Sequence, residues 1–244
     1  VWLSILVAAG TGVACRGGAP AGDGVTVPAS GVAPPEAVLT SFRYRLSAEA
    51  SNLIGAPVSP GGPATPIVLA IDGEVASPGH ERAATHLSLG VGSLDSESVQ
   101  IGERVWSRDG VGSWIEGRAS EDAVAARTFG LGLDPAVLAG ADARMRLRSA
   151  LAGLTSEPER VAAVDTLRFT LNPERVRKLL GATDGGSAWV LAGASEEWQL
   201  WVTRDLWLPA RLLLDTQTEQ GGRIRVDLVL SDLNVRGIVI EPPK

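Results

Sequence analysis

Few side chains in this sequence can do covalent or acid–base chemistry. Its 244 residues hold one thiol, Cys15, and two imidazoles, His80 and His86. The histidines lie six residues apart in or beside one extended stretch. That spacing puts them on the same face but about 20 Å apart, too far to share a metal ion. Acidic pairs such as Asp95 and Glu97, or Glu196 and Glu197, fit solvated strand ends and turns. No G-x-S-x-G elbow, G-x-x-x-x-G-K-[ST] loop or H-E-x-x-H pair occurs. The Gly-Val-Gly stretches at 90–92 and 110–112 lack the third glycine of a dinucleotide site. The expectation is a protein with no catalytic residue, no metal ligands and no cofactor.

Binding is the chemistry that remains. Trp106, Trp114, Trp189, Trp198, Trp201 and Trp207 stand among few other aromatics, namely Phe42, Phe129, Phe169 and Tyr44. They either fill a core or form an amphipathic rim for an apolar ligand, since indole joins a large apolar body to one polar N–H. Trp198, Trp201 and Trp207, around WQLWVTRDLWLPARL, are the candidates for such a rim or for contact with a membrane interface. Arg144 and Arg148, four apart on a helical pattern, offer two readings. Their stems cover apolar surface while the heads reach water, or the heads meet the phosphate of a lipid head group.

These side chains must be positioned by a folded body, and composition shows that one exists. Hydrophobic residues make up 45% of the chain and charged ones 20%, which excludes a disordered chain and a polytopic membrane protein. With Lys+Arg 22 against Asp+Glu 28 there is no basic excess for neutralising nucleic-acid phosphates. Residues 1–14, VWLSILVAAGTGVA, carry no charge and are too short to span a bilayer. They fit the apolar region of a secretory signal that ends in the small residues a signal peptidase accepts. Residues 16–36, rich in Gly, Ala and Pro without periodicity, form a tether that cannot bury enough apolar area to offset its ordering entropy. Residues 37–244 are then the single folded domain.

The body alternates with period two. In SFRYRLSAEA, Phe42, Tyr44, Leu46, Ala48 and Ala50 share one face, and Ser41, Arg43, Arg45, Ser47 and Glu49 share the other. Residues 223–231 repeat the pattern, and about eight further short stretches are rich in strand formers, which predicts about ten antiparallel strands. Asp134-Pro135 predicts a helix start running some twenty residues, with Val137, Leu138, Ala141, Met145, Leu147 and Leu151 on its apolar arc. Asn172-Pro173 opens a second, shorter helix ending at Gly181.

Two resemblances sharpen this. Cys15 directly after Gly12-Val13-Ala14 resembles the lipobox of bacterial lipoproteins, whose thiol takes a diacylglycerol, although Gly12 stands where that motif usually has Leu. An ordinary signal peptide with a cysteine near its end is the alternative. In the body, IDGEVASPGHERAATHLSLG, VQIGERVWSRDGVGSW, EEWQLWVTRDLWLPARLLLD and VLSDLNVRGIVIEPP resemble, in order and spacing, envelope lipoproteins of the LppX/LprG type, relatives of the lipoprotein carrier LolA. That resemblance implies an α+β fold: a strongly curved, unclosed antiparallel sheet with helices packed on its concave face, holding acyl chains between them. It carries over no catalytic residues. The expected lining is Phe42, Tyr44, Leu46, Val137, Leu138, Ala141, Met145, Trp106 and Trp114, with Arg144 and Arg148 near a head group. The expected partners are a lipid or acylated ligand and, through lipidated Cys15, a membrane at the extracytoplasmic cell envelope. If bulky side chains fill the groove, the same fold becomes a ligand-free partner of another envelope protein.

Overall fold

In a computed structural model of the chain, residues 25–26, 37–51, 66–90, 92–119, 133–181, 197–217 and 222–244 are described. Cys15, the signal region and most of the tether lie outside them, as do Trp189 and Phe129. The strands are β1 (Val25–Thr26), β2 (Phe42–Ser51), β3 (Ile67–Ser77), β4 (His80–Ser88), β5 (Ser93–Ile101), β6 (Arg104–Asp109) and β7 (Ile115–Arg118), followed by β8 (Thr155–Val161), β9 (Val164–Leu171), β10 (Trp198–Thr203), β11 (Pro209–Gln217) and β12 (Arg223–Ser231). Two helices, α1 (Gly140–Leu151) and α2 (Pro173–Leu180), fall between β7 and β10. All pairings are antiparallel, in the order β1-β8-β9-β10-β11-β12-β2-β3-β4-β5-β6-β7. The sheet is open, and because β1 is a two-residue bridge onto β8, eleven strands carry it.

Register shows how alternation becomes two chemically different faces. One transverse row runs Phe169, Leu200, Leu212, Leu228, Leu46, Ile71 and Thr85 from β9 to β4, and every member is buried. The neighbouring row points the other way: Glu157, Arg168, Trp201, Arg211, Val229, Arg45, Asp72, Ala84, Glu97 and Arg108. This outer row is laced across strands by Arg168–Glu157, Arg211–Asp227, Arg45–Asp72 and Arg108–Glu97 ion pairs. Such pairs are individually weak, but together they keep one side of the sheet wet.

The inner face forms a single apolar cluster with both helices, drawing on β2, β3, β4, β9, β10, β11 and β12. Seven adjacent strands laid flat would span about 29 Å, wider than two helices of about 10 Å each can cover. The sheet therefore curves around them, giving the α+β architecture of a curved, unclosed sheet with helices on its concave face.

The first helical segment departs from its sequence pattern. Asp134 accepts from the Ala136 N–H at 3.0 Å and starts a 3-10 turn, Pro135–Leu138, which ends at Ala139. Gly140, at φ +91°, then redirects the chain into α1. An L side chain there is strained, and its Cβ would also stand 3.4 Å from Pro78. One expected helix of twenty residues is thus a turn and a twelve-residue helix. The second helix follows expectation: Asn172 accepts from the Arg175 N–H at 2.9 Å, and Gly181 closes the C-terminus.

Candidate functional site

The break at Gly140 rotates α1 away from the expected arc. Ala143, Leu147, Ala150 and Leu151 are buried, whereas Ala141, Met145 and Arg148 face water, Met145 with 64% of its surface exposed. The expected lining role of Ala141 and Met145, and a head-group role for Arg148 at the groove, are corrected accordingly. Arg144 is half-buried. Arg146, which the pattern did not single out, reaches inward and donates to the Leu179 carbonyl at 3.1 Å and to the Val137 carbonyl. Arg175 of α2 answers by donating to the carbonyls of Ala150 and Ala152 at 2.6 and 3.0 Å. Each helix thus satisfies orphan carbonyls at the C-terminal end of the other. The two helices form one mutually capped unit.

Where this unit meets the sheet, a pocket opens among Leu39, Leu138, Leu147, Leu179 and Trp207, with Arg144 and Pro209 also on its wall. Its free volume is about 10 Å³, room for about one water molecule. Leu39 is held there by Asn234, whose side chain accepts from the Thr40 N–H at 2.7 Å and donates to the Val38 carbonyl at 2.9 Å. The Asn234 N–H donates to the Ser41 carbonyl at 2.7 Å, so Asp232-Leu233-Asn234 closes the domain as a clamp, and residues 232–244 form no strand.

Trp207 enters from the β10–β11 turn. Thr203 fixes that turn: its N–H donates to the Leu208 carbonyl at 2.8 Å, its carbonyl accepts from the Trp207 N–H at 3.0 Å, and its hydroxyl accepts from the Leu208 N–H at 3.1 Å. Trp207 sits at φ +55°, a left-handed conformation that costs a bulky residue about 1–2 kcal/mol. Its indole lies 6.0 Å, centroid to centroid, from Phe169 of the inner row.

The remaining expected residues separate into three places. Phe42, Tyr44 and Leu46 are buried on the inner face as part of the apolar core. Val137 is partly buried against that core and Leu138 lines the pocket. Trp106 and Trp114 are corrected to the outer face: register pairs Trp106 with Val99 and Glu116, on the side of Arg82 and Arg108. Arginine guanidinium groups cover them there, Arg104 at 4.8 Å over the Trp106 ring and Arg108 at 4.8 Å over the Trp114 ring. Trp201 has the same fate, with Arg211 at 5.0 Å, while Trp198 fills the core. Of the three tryptophans read as a rim, Trp207 alone lines this pocket. Leu39 and Leu179 were missed as lining residues; the i, i+3, i+4 spacing of Val176, Leu179 and Leu180 was the available signal for the latter.

Charge on the outer face is strongly coupled. Burial pushes the Asp227 carboxyl up, but hydrogen bonds and charge from Arg211, then Arg225, outweigh it and hold it below the ordinary range. Arg223 does the same for Asp215 through paired hydrogen bonds at 2.8 and 2.6 Å, against a smaller effect of burial. His80 bonds Ser77 and His86 bonds Asp95, and among the described residues no group of side chains is arranged to hold a metal ion. No helix of the described residues is long and apolar enough to cross a membrane.

The crystal structure of a LolA superfamily protein from Nitrosomonas europaea is similar to this chain at a TM-score of 0.30 and 10% identity, covering 82% of this chain and 88% of that one. No protein-family model matches the chain, and no curated protein matches it.

Proposed function

We propose that this protein is a binding protein rather than an enzyme, and that it takes an apolar chain, an acyl group of a lipid or lipidated molecule, at the seam between the helix pair and the sheet. The observation that carries this reading is the convergence of Leu39, Leu138, Leu147, Leu179 and Trp207 beside Arg144 at that seam. Arg146 and Arg175 tie the helices to each other, so the pair can lift from the sheet as one unit without breaking its own caps. Lifting would expose a continuous apolar face, and each CH₂ of a ligand buried there contributes about 0.8 kcal/mol. Arg144 at the wall suits an anionic head group. Lipidation at Cys15 would place this activity at the extracytoplasmic surface of a membrane, where the protein carries or presents its ligand.

A second reading has its own observation. The inner face is filled by Phe42, Leu46, Phe169 and Trp198, all essentially inaccessible to solvent. A filled core of this kind suits a domain that binds another envelope protein. Native mass spectrometry of the purified full chain separates the two: co-purified lipid supports the first, and its absence together with no uptake of a fluorescent fatty acid supports the second. For the anchor, Cys15→Ala is expected to move the protein from the membrane fraction to the soluble one; unchanged fractionation contradicts lipidation.

A further inference from the structure

We infer that Trp207 is a displaceable plug: its indole occupies the seat that the apolar chain takes, and ligand binding swings it out. This rests on the apolar-chain reading of the seam. Three independent features meet at this residue. Its backbone is in the left-handed region at φ +55°, where glycine is at ease and a tryptophan is not. The turn does not need an indole there, because the backbone and hydroxyl of Thr203 close it through Trp207 N–H, Leu208 N–H and the Leu208 carbonyl. The side chain is only half-buried, yet it covers the fully buried ring of Phe169 and forms one wall of the pocket.

Strain retained at a position that glycine would satisfy points to a use for the side chain. Pro209, two residues on, biases Leu208 toward an extended backbone, so the turn cannot relax by sliding into β11. The easier release is rotation of the indole out of the seam, which leaves its place beside Phe169, Leu39 and Leu179 to an alkyl chain of similar width. In the ligand-free protein the plug keeps that apolar surface from water. This also accounts for a pocket no larger than one water molecule in a protein that binds a chain.

The test uses the full chain and dansyl-undecanoic acid as probe. Trp207→Gly and Trp207→Ala both empty the seat, and each is expected to raise the association rate of the probe at least tenfold over wild type in stopped-flow fluorescence. The Gly variant is expected to melt several degrees above the Ala variant, because only Ala keeps the left-handed strain. In wild-type protein labelled with 5-fluorotryptophan, the resonance missing from Trp207→Phe is expected to shift when the probe saturates. Association rates unchanged in both variants while wild type binds, or an unmoved Trp207 resonance at saturation, overturns the plug and leaves the binding reading standing. No binding by wild type or either variant overturns both.

Discussion

The Tyr44 hydroxyl donates to Oε1 of Glu81 at 2.5 Å, spanning from β2 to β4 across the intervening strand. Gly73 makes this possible. It faces Tyr44 in register, and a Cβ there would stand 2.3 Å from the phenol ring. The pair is buried within the inner face, where a carboxyl group needs such a donor. Gly73→Ala is expected to destabilise the protein by about 1–3 kcal/mol through overpacking. Tyr44→Leu orphans Glu81 and is itself destabilising, but Gly73→Ala is expected to cost less in the Tyr44→Leu background than in wild type, and to cost as much in the Tyr44→Phe background, since the ring remains. Urea denaturation of Gly73→Ala in the three backgrounds checks this; an unchanged midpoint for Gly73→Ala in wild type contradicts it.

The reciprocal caps predict coupling between two helices. Arg146→Met and Arg175→Met each strip charged donors from backbone carbonyls at a helix end, and each is expected to cost about 1.5–3 kcal/mol. If the caps hold α1 and α2 as one unit, the double variant loses less than the sum of the two. Strict additivity in a double-mutant cycle would separate the helices and remove the basis for their moving together.

Acid weakens the outer face in a definable direction. Asp215 and Asp227 have native pKa values below the ordinary carboxylate range, so their contribution is present above the unfolded value of about 3.9 and is lost as pH falls through the depressed native values. Wild type is expected to lose stability between about pH 5 and pH 2, and the Asp215→Asn/Asp227→Asn double variant to lose less over the same range. Equal slopes for the two proteins in urea titrations at stepped pH would contradict the assignment.

The β8–β9 turn invites stabilisation. Ala162 and Ala163 both have positive φ, 48° and 69°, the geometry of a two-residue hairpin that favours Asn-Gly. Ala162→Asn/Ala163→Gly is expected to raise stability by about 1 kcal/mol. A lowered melting temperature would contradict the left-handed pair.

Much of the sheet was legible because burial on one side forces period two: β2 and β12 follow their patterns almost residue for residue. β8 was not, since TSEPERV carries acids, a proline and an arginine at the margin of the sheet and has no apolar alternation to read. The helical arc failed for a related reason. Gly140 looks harmless in a run of helix formers, and only its φ of +91° and its N–H bond to the Leu39 carbonyl show that it breaks the run. Trp106, Trp114 and Trp201 misled because composition ranks indole as lining or core, while cross-strand register places Trp106 and Trp201 on the outer face and all three rings lie under arginine guanidinium groups. The pocket joins Leu39, Leu138, Leu179 and Trp207 from four distant stretches, and no local pattern links them.

Binding of an apolar chain at the seam between the helix pair and the sheet underlies the proposed function. Its most direct measurement is titration of the purified protein with dansyl-undecanoic acid, comparing wild type with Leu138→Trp, which fills the pocket wall from the 3-10 turn. Saturable binding by wild type and at least a tenfold loss of affinity in the variant are expected. Equal affinity in both, or no binding by wild type, would contradict it.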